Sequence, residues 1–162
     1  MPEMFRKSRI FVLSLCLCSL LSIPVVHAMN GVMIHNAKAR ETFAMATTAA
    51  VYLTVMNHGD EKVTLLGVTV DKAIAGEAQL HTTVMEGDMM KMRQITDGID
   101  ISPGDMLEFK SGSYHVMLMG LVKPLTEGAS FDITLTFRNQ PPVTASVTVG
   151  KGGNEHSHHH HE

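Results

Sequence analysis

The chain of 162 residues is 44% hydrophobic and 18% charged, which is typical of one globular domain and excludes a largely disordered protein. Its formal net charge of -3 argues against a large nucleic-acid surface, and 5% aromatic residues without Trp argue against a stacking platform for sugars or bases. The 13 Met and 10 His are unusual, and they direct the search for a function toward soft metals.

The first 28 residues have the three parts of a secretory signal peptide. Three basic residues, Arg6, Lys7 and Arg9, precede an apolar run at 10–21, and Ala28 offers a small residue at a cleavage site. An uncleaved membrane anchor is the alternative, but the run of about 12 residues is well short of the ~20 that a spanning helix needs. We therefore predict that residues 1–28 are removed, that the protein is exported to the periplasm, and that no stable membrane insertion follows.

Both cysteines of the chain, Cys16 and Cys18, lie inside this predicted signal peptide. A lipoprotein is a second alternative, although each Cys follows a Leu, where lipidation usually requires a small residue. After cleavage the chain would have no Cys, and therefore neither a disulfide nor a thiolate ligand for a metal.

Residues 29–150 are predicted to form one all-β domain. Short segments with alternating apolar residues are separated by clusters of Gly, Pro, Asn and Asp, and no stretch has a sustained helical period. The predicted strands are residues 49–57, 62–70, 79–85, 89–96, 106–110, 115–121, 131–138 and 143–149. Strands of this length and spacing favour a β-sandwich or a barrel.

Residues 151–162 differ in composition from the domain and are predicted to be a disordered tail. The tail contains the imidazoles of His156, His158, His159, His160 and His161. Clustered imidazoles bind Cu(II), Ni(II) or Zn(II) with little geometric demand, so the tail is a candidate Cu(II) site. An expression tag is the alternative. The run has only four consecutive His, and the same chain begins with a predicted signal peptide, so we favour a natural terminus.

His115 and Met117 form the most specific short motif of the domain. Side chains alternate between the two faces of a strand, so this imidazole and this thioether should project from the same face. Met119 shares their parity and is a reserve ligand.

His81 and Met92 are predicted to form a second pair across a β-hairpin. If a two-residue loop is formed by Glu86 and Gly87, Met85 lies opposite Asp88, and His81 then lies directly opposite Met92. Directly opposed residues have Cβ atoms roughly 4.5–5.5 Å apart, within reach of one metal ion. A slip of one residue would place them on opposite faces.

Two His and two Met that meet at one end of a sandwich would favour Cu(I), because imidazole and thioether are soft donors. Zinc prefers Cys, His and carboxylate, and calcium and magnesium prefer oxygen. Met90 shares a face with Met92 and is its possible substitute. The alternative interpretation treats the methionines as core residues and each His as a hydrogen-bonded structural residue.

The spacing of these residues resembles that of the PCuAC family of periplasmic copper chaperones, also called DUF461. The resemblance extends over residues 37–149, and its most similar stretches are 50–57, 80–83, 90–93 and 115–121. Its signature is a His, a Met after ten intervening residues, and a His-x-Met roughly two dozen residues later.

This resemblance implies a fold, a ligand set and a function. The fold is a cupredoxin-like β-sandwich of the immunoglobulin-like class, and the Cu(I) ligands fall on His81, Met92, His115 and Met117. Family members are implicated in delivering Cu(I) to the copper centre of cytochrome c oxidase, sometimes with a thioredoxin-like copper chaperone as partner. His- and Met-rich C-terminal extensions in the family are associated with Cu(II), which agrees with the tail.

We therefore predict an exported copper chaperone that exchanges ligands with an acceptor. The sequence contains nothing like a catalytic triad, a carboxylate dyad or a phosphate-binding loop, so we predict that it is not an enzyme. Three alternatives remain: a general metal buffer that acts mainly through the tail, a copper redox protein, and a metal-free adhesion or assembly module.

Overall fold

A computed structural model describes residues 31–151, and these residues form ten β-strands and no helix. The predicted signal peptide and the five tail histidines lie outside the described residues. Within 31–151 no helix is present that could cross a bilayer. The strands are β1 (Val32–Arg40), β2 (Thr48–Asn57), β3 (Val63–Val70), β4 (Ala75–Glu86), β5 (Met89–Gln94), β6 (Ile99–Ile101), β7 (Met106–Phe109), β8 (His115–Leu121), β9 (Ser130–Phe137) and β10 (Gln140–Gly150).

The eight predicted strands are present, and the sequence analysis missed β1 and β6. The alternation of β1 is interrupted between His35 and Lys38, where its register against β2 shifts and Asn36 has a positive φ of 54°. A bulge of this kind removes the two-residue period from which strands are predicted. Strand β6 has three residues, too few to produce a period of its own.

The strands follow the hydrogen-bonded order β5-β4-β8-β2-β1-β10-β9-β3-β6, and β7 pairs with β2. The pair β1–β10 is parallel, and the other strand pairs of the described part are antiparallel. This sheet closes over one hydrophobic core, so the predicted all-β sandwich is confirmed. Strand β5 is an edge strand, and β4 lies between it and β8.

Alternation along β8 separates the core from the candidate metal ligands. Val116 and Leu118 are fully buried in the core, together with Leu80 of β4. His115 and Met117 alternate with these residues along β8, so their side chains project from the opposite face of the sheet. His115 is nevertheless 4% exposed, which is unusual for a polar residue on the outer side.

Candidate metal centre

The pairing of β4 with β8 brings His81 and His115 together. They are directly opposite one another in the antiparallel register, and Gln79 is opposite Met117 in the same way. The two imidazole rings are 5.7 Å apart between centroids, at an interplanar angle of 45°. Opposed residues share a face, so His81, His115 and Met117 line one patch of the sheet, as predicted for His115 and Met117.

The predicted register of Met92 is wrong by two residues. His81 lies opposite Gln94, and Met92 lies opposite Thr83. Because the shift is even, Met92 still shares the face of His81. It occupies the diagonal position, for which Cα separations of roughly 7–8 Å are usual, instead of the directly opposed one.

The turn explains this difference. The loop consists of Gly87 and Asp88, and Glu86 pairs with Met89. Gly87 has a φ of 61°, a conformation that glycine adopts without steric cost. Two-residue hairpin loops with one such position place Gly first, so the loop begins at Gly87 and not at Glu86.

The two substitutes considered for the thioether ligands lie farther from the histidine pair. Met90 is opposite Met85, and Met119 is opposite Glu77. Each of these rows is four residues along β4 from His81, whereas the rows of Met92 and Met117 are two residues from it. The register therefore favours Met92 and Met117 as the nearest sulfur donors.

A chain of hydrogen bonds fixes the protonated nitrogen of His81. Gln79 donates from Nε2 to Glu77 Oε1 at 2.9 Å, and its Oε1 lies 2.9 Å from His81 Nε2. An amide oxygen is an acceptor, so His81 donates from Nε2 and the lone pair of its neutral ring is on Nδ1. The sequence analysis missed Gln79 and Glu77, although both share the parity of His81 on β4.

His115 has the opposite tautomer. Its Nδ1 donates to the backbone oxygen of Ser113 at 3.1 Å, which leaves the lone pair on Nε2. His81 Nδ1 and His115 Nε2 are both buried, and neither has a hydrogen-bond partner among the described residues. An unmatched buried polar atom costs about 1–3 kcal/mol, and a bound cation that accepts both lone pairs would remove this cost.

The surroundings keep His81 neutral. Burial, and then the nearby charge of His115, lower the pKa of His81 from its ordinary value. A neutral imidazole keeps the lone pair that a metal needs. Within residues 31–151 no group of three His, Cys, Asp or Glu side chains could hold a metal ion. The sulfur donors nearest to the two histidines in the register are those of Met117 and Met92. Two imidazoles and two thioethers suit Cu(I) better than zinc or calcium.

The chain is similar to known proteins in sequence and in structure. The family model described as "Putative lipoprotein LpqE-like" matches residues 32–149. A putative lipoprotein of Leifsonia xyli subsp. xyli is 32% identical over 128 residues, which are 78% of this chain and 75% of the relative.

Two solved structures have the same fold. A copper-bound PCuAC domain from PmoF2 has a TM-score of 0.61 at 24% identity, over 76% of this chain and 96% of that domain. The Cu(I) form of DR1885 from Deinococcus radiodurans has a TM-score of 0.58 at 27% identity, over 78% of this chain and 83% of that protein. The predicted resemblance to PCuAC domains and the predicted cupredoxin-like sandwich are confirmed.

Proposed function

Because this chain belongs to the LpqE-like family and has the fold of PCuAC domains, we propose that it is a periplasmic copper chaperone and not an enzyme. Its cargo is one Cu(I) ion, held by His81, His115, Met117 and Met92. The observation that carries this proposal is the pair of buried nitrogens, His81 Nδ1 and His115 Nε2, whose lone pairs have no partner among the described residues.

The chemistry of the four donors supports Cu(I) as the cargo. All four are neutral, so the bound ion would keep a single positive charge, which costs less to hold in a partly buried site than the two charges of a divalent ion. Thioether sulfur is a soft donor that selects Cu(I) over harder ions. Solved relatives of the same fold are copper-bound, and one of them holds Cu(I).

The exposure of the donors suggests an order for ligand exchange. Met92 is 61% exposed on the edge strand β5, whereas His115 is 4% exposed. An acceptor's ligands would replace Met92 first and His115 last, so copper would pass between proteins without being released. From the family resemblance, the acceptor is a copper centre of cytochrome c oxidase or a thioredoxin-like copper chaperone.

The tail histidines form a second, separate candidate site for Cu(II). Gly150, at the end of β10, lies opposite Arg40 of β1. Strand β1 pairs with β2, and Ala50 of β2 lies opposite Met117 of β8. Three strand spacings of about 4.8 Å separate Gly150 from Met117, roughly 15 Å in all. Six residues lead from Gly150 to His156 and could extend about 20 Å, so the tail is long enough to reach the centre.

A Cu(I) competition experiment distinguishes the chaperone from a metal buffer. The test protein is the full chain in which the five tail histidines are replaced by Ser, here called the tail variant. Under anaerobic conditions with bicinchoninate as competitor, the tail variant should keep one tightly bound Cu(I). A buffer that acts through the tail would lose nearly all of its binding.

Substitutions in the tail variant then locate the site. His115→Ala and Met117→Ala should each weaken Cu(I) binding tenfold or more, where a factor of ten corresponds to about 1.4 kcal/mol. Met106→Ala is the control, because Met106 is another methionine of the domain but lies on β7 opposite Met56, on a strand that carries none of the four proposed ligands. Unchanged affinity in both site variants, or X-ray absorption without sulfur neighbours, would exclude the proposed ligands.

A further inference from the structure

The β4–β5 hairpin has two chemically different faces. Glu86, Lys91 and Arg93 lie on one face, where Lys91 Nζ is 2.6 Å from Glu86 Oε2 and Arg93 also pairs with Glu86. The other face carries Met85, Met90 and Met92, beside the uncharged side chains of Thr83 and Gln94. Ion pairs are thus segregated from a surface of thioethers.

Three exposed methionines lie on this face, between the turn and the row of His81. Met85 is 63% exposed, Met90 is 68% exposed and Met92 is 61% exposed, so none of them fills the core. Exposed apolar side chains that cluster in this way mark a site of interaction more often than a defect. Met85 and Met90 form the outermost row of this face, next to the turn.

Met85 and Met90 are directly opposed across the hairpin. Cβ atoms in such a pair are roughly 4.5–5.5 Å apart, and the flexible methionine side chain allows both sulfurs to approach one ion. Two neutral thioethers without a nearby carboxylate or imidazole would bind Cu(I) weakly and would not retain a harder ion. The row of Met85 is four residues from that of His81, about 13 Å along β4.

We propose that Met85 and Met90 form an outer Cu(I) site, at which the ion is received or released before or after it occupies the histidine pair. This inference rests on the proposed function, because it gives the copper of that centre a path to the edge of the sheet. Met92, between the two sites on the same face, would belong to the inner one.

Methyl NMR of the tail variant with ¹³C-labelled Met tests the outer site. Cu(I) is titrated under anaerobic conditions in a buffer containing acetonitrile. The first equivalent should shift the signal of Met117, and a second, weaker equivalent should shift those of Met85 and Met90 together. A second equivalent that moves Met89 as much as Met85 would overturn the proposal, because Met89 lies on the other face.

A double variant separates metal binding from hydrophobic docking. Met85→Leu with Met90→Leu keeps the apolar surface and removes both sulfurs. It should lose the second equivalent, keep the affinity of the inner site within about twofold, and transfer Cu(I) to bicinchoninate more slowly. Met89→Leu, at a residue 62% exposed, is the matched control and should behave as the parent does. Unchanged stoichiometry and transfer in the double variant would mean a docking surface instead.

The two proposals fail in different ways. If tight binding at the histidine pair persists while Met85 and Met90 signals do not move, the outer site is wrong and the chaperone proposal stands. If Met85 and Met90 respond to the first equivalent while His115→Ala leaves the affinity unchanged, the inner centre is wrong and the thioether pair is still a Cu(I) site.

Discussion

Asn57 and His115 are both polar and both almost fully buried, at 1% and 4% exposure, yet their hydrogen bonds differ. Asn57 donates from Nδ2 to the backbone oxygens of Glu61 and Ile101, at 2.8 Å and 3.1 Å, and accepts from the Gly59 amide at 3.0 Å. Every group of its amide is used. His115 has one bond to Ser113, and its Nε2 has no partner in the described part of the chain.

Asn57 has the hydrogen bonds of a structural polar residue, whereas the unpartnered Nε2 of His115 fits the metal ligand proposed above. Burial of either group costs free energy unless its hydrogen bonds are replaced. At Asn57 the replacement comes from the loop after β2 and from β6, which the side chain holds together. At His115 it is incomplete, and the neighbouring His81 has the same deficit on Nδ1. Under the proposed function, a bound Cu(I) ion would remove this cost.

The largest expected effect is on Cu(I) affinity, when loss of the two histidines is compared with loss of the Asn57 amide. In the tail variant, His81→Leu with His115→Leu should weaken Cu(I) binding at least a hundredfold, about 2.7 kcal/mol, since both nitrogen ligands are lost. Asn57→Ala should leave Cu(I) affinity within about twofold, because it touches none of the four proposed ligands. Competition with bicinchoninate measures both.

Stability of the metal-free protein should follow the reverse order. Asn57→Ala leaves two backbone oxygens and one amide without partners and should lower the free energy of unfolding by about 2 kcal/mol. His81→Leu removes an unmatched buried nitrogen and should cost less than about 1 kcal/mol in urea denaturation. If Asn57→Ala instead reduced affinity as strongly as the His variants, the distinction between the two sites would be lost.

A smaller effect is expected at Gln79, which positions His81 and does not contact the metal. Gln79→Leu removes the acceptor for His81 Nε2–H, so the ring can exchange tautomers and rotate. Loss of such an outer partner typically weakens metal affinity by roughly tenfold. ¹⁵N NMR of the metal-free protein should show His81 changing from one tautomer to a mixture.

Gln94→Leu is the control for Gln79→Leu, because Gln94 lies opposite His81 on β5. It should leave the tautomer and the affinity as they are. A tautomer that stays fixed in Gln79→Leu would assign the orientation of the ring to packing alone.

The sequence predicted the parity of the site residues better than their exact pairing. Alternation sufficed to place His115 and Met117 on one face, because it depends on β8 alone. The pairing of His81 with Met92 depended on which residues form the turn. Gly87, with its positive φ, is the first residue of the loop and not the second, so the partner of each β4 residue lies two positions farther along β5 than predicted. An even shift preserved the face and changed the neighbour.

Two other features could not be obtained from the pattern. The partnership of Gln79 with His81 needs side-chain geometry, since the same parity is shared by Thr83, which makes no such bond to the ring. His81 and His115 are 34 positions apart in the sequence, and they are paired because β4 lies next to β8 in the sheet. The alternation of residues along a strand does not determine which strands are neighbours.

The smallest expected effect is the pH dependence of stability at Asp100, on the strand β6 that Asn57 contacts through the Ile101 oxygen. Asp100 of β6 accepts hydrogen bonds from Lys62 at 2.7 Å and from Thr64 at 2.8 Å. These bonds, that from Lys62 first, lower the pKa of Asp100 in the folded protein. Its contribution to stability is therefore present above its unfolded pKa of about 3.9 and is lost as the pH falls through the lower folded value.

Asp100→Asn should consequently be slightly less stable than the parent at pH 6, and the difference should shrink as the pH is lowered below 4. Urea denaturation of the metal-free tail variant at several pH values measures it. Cu(I) affinity at pH 7 should be the same in both proteins, because the Asp100 carboxylate bonds to Lys62 and Thr64 and to none of the four proposed ligands. A difference in stability that grows in acid would show that Asp100 is more stabilising when protonated, contrary to its contacts with Lys62 and Thr64.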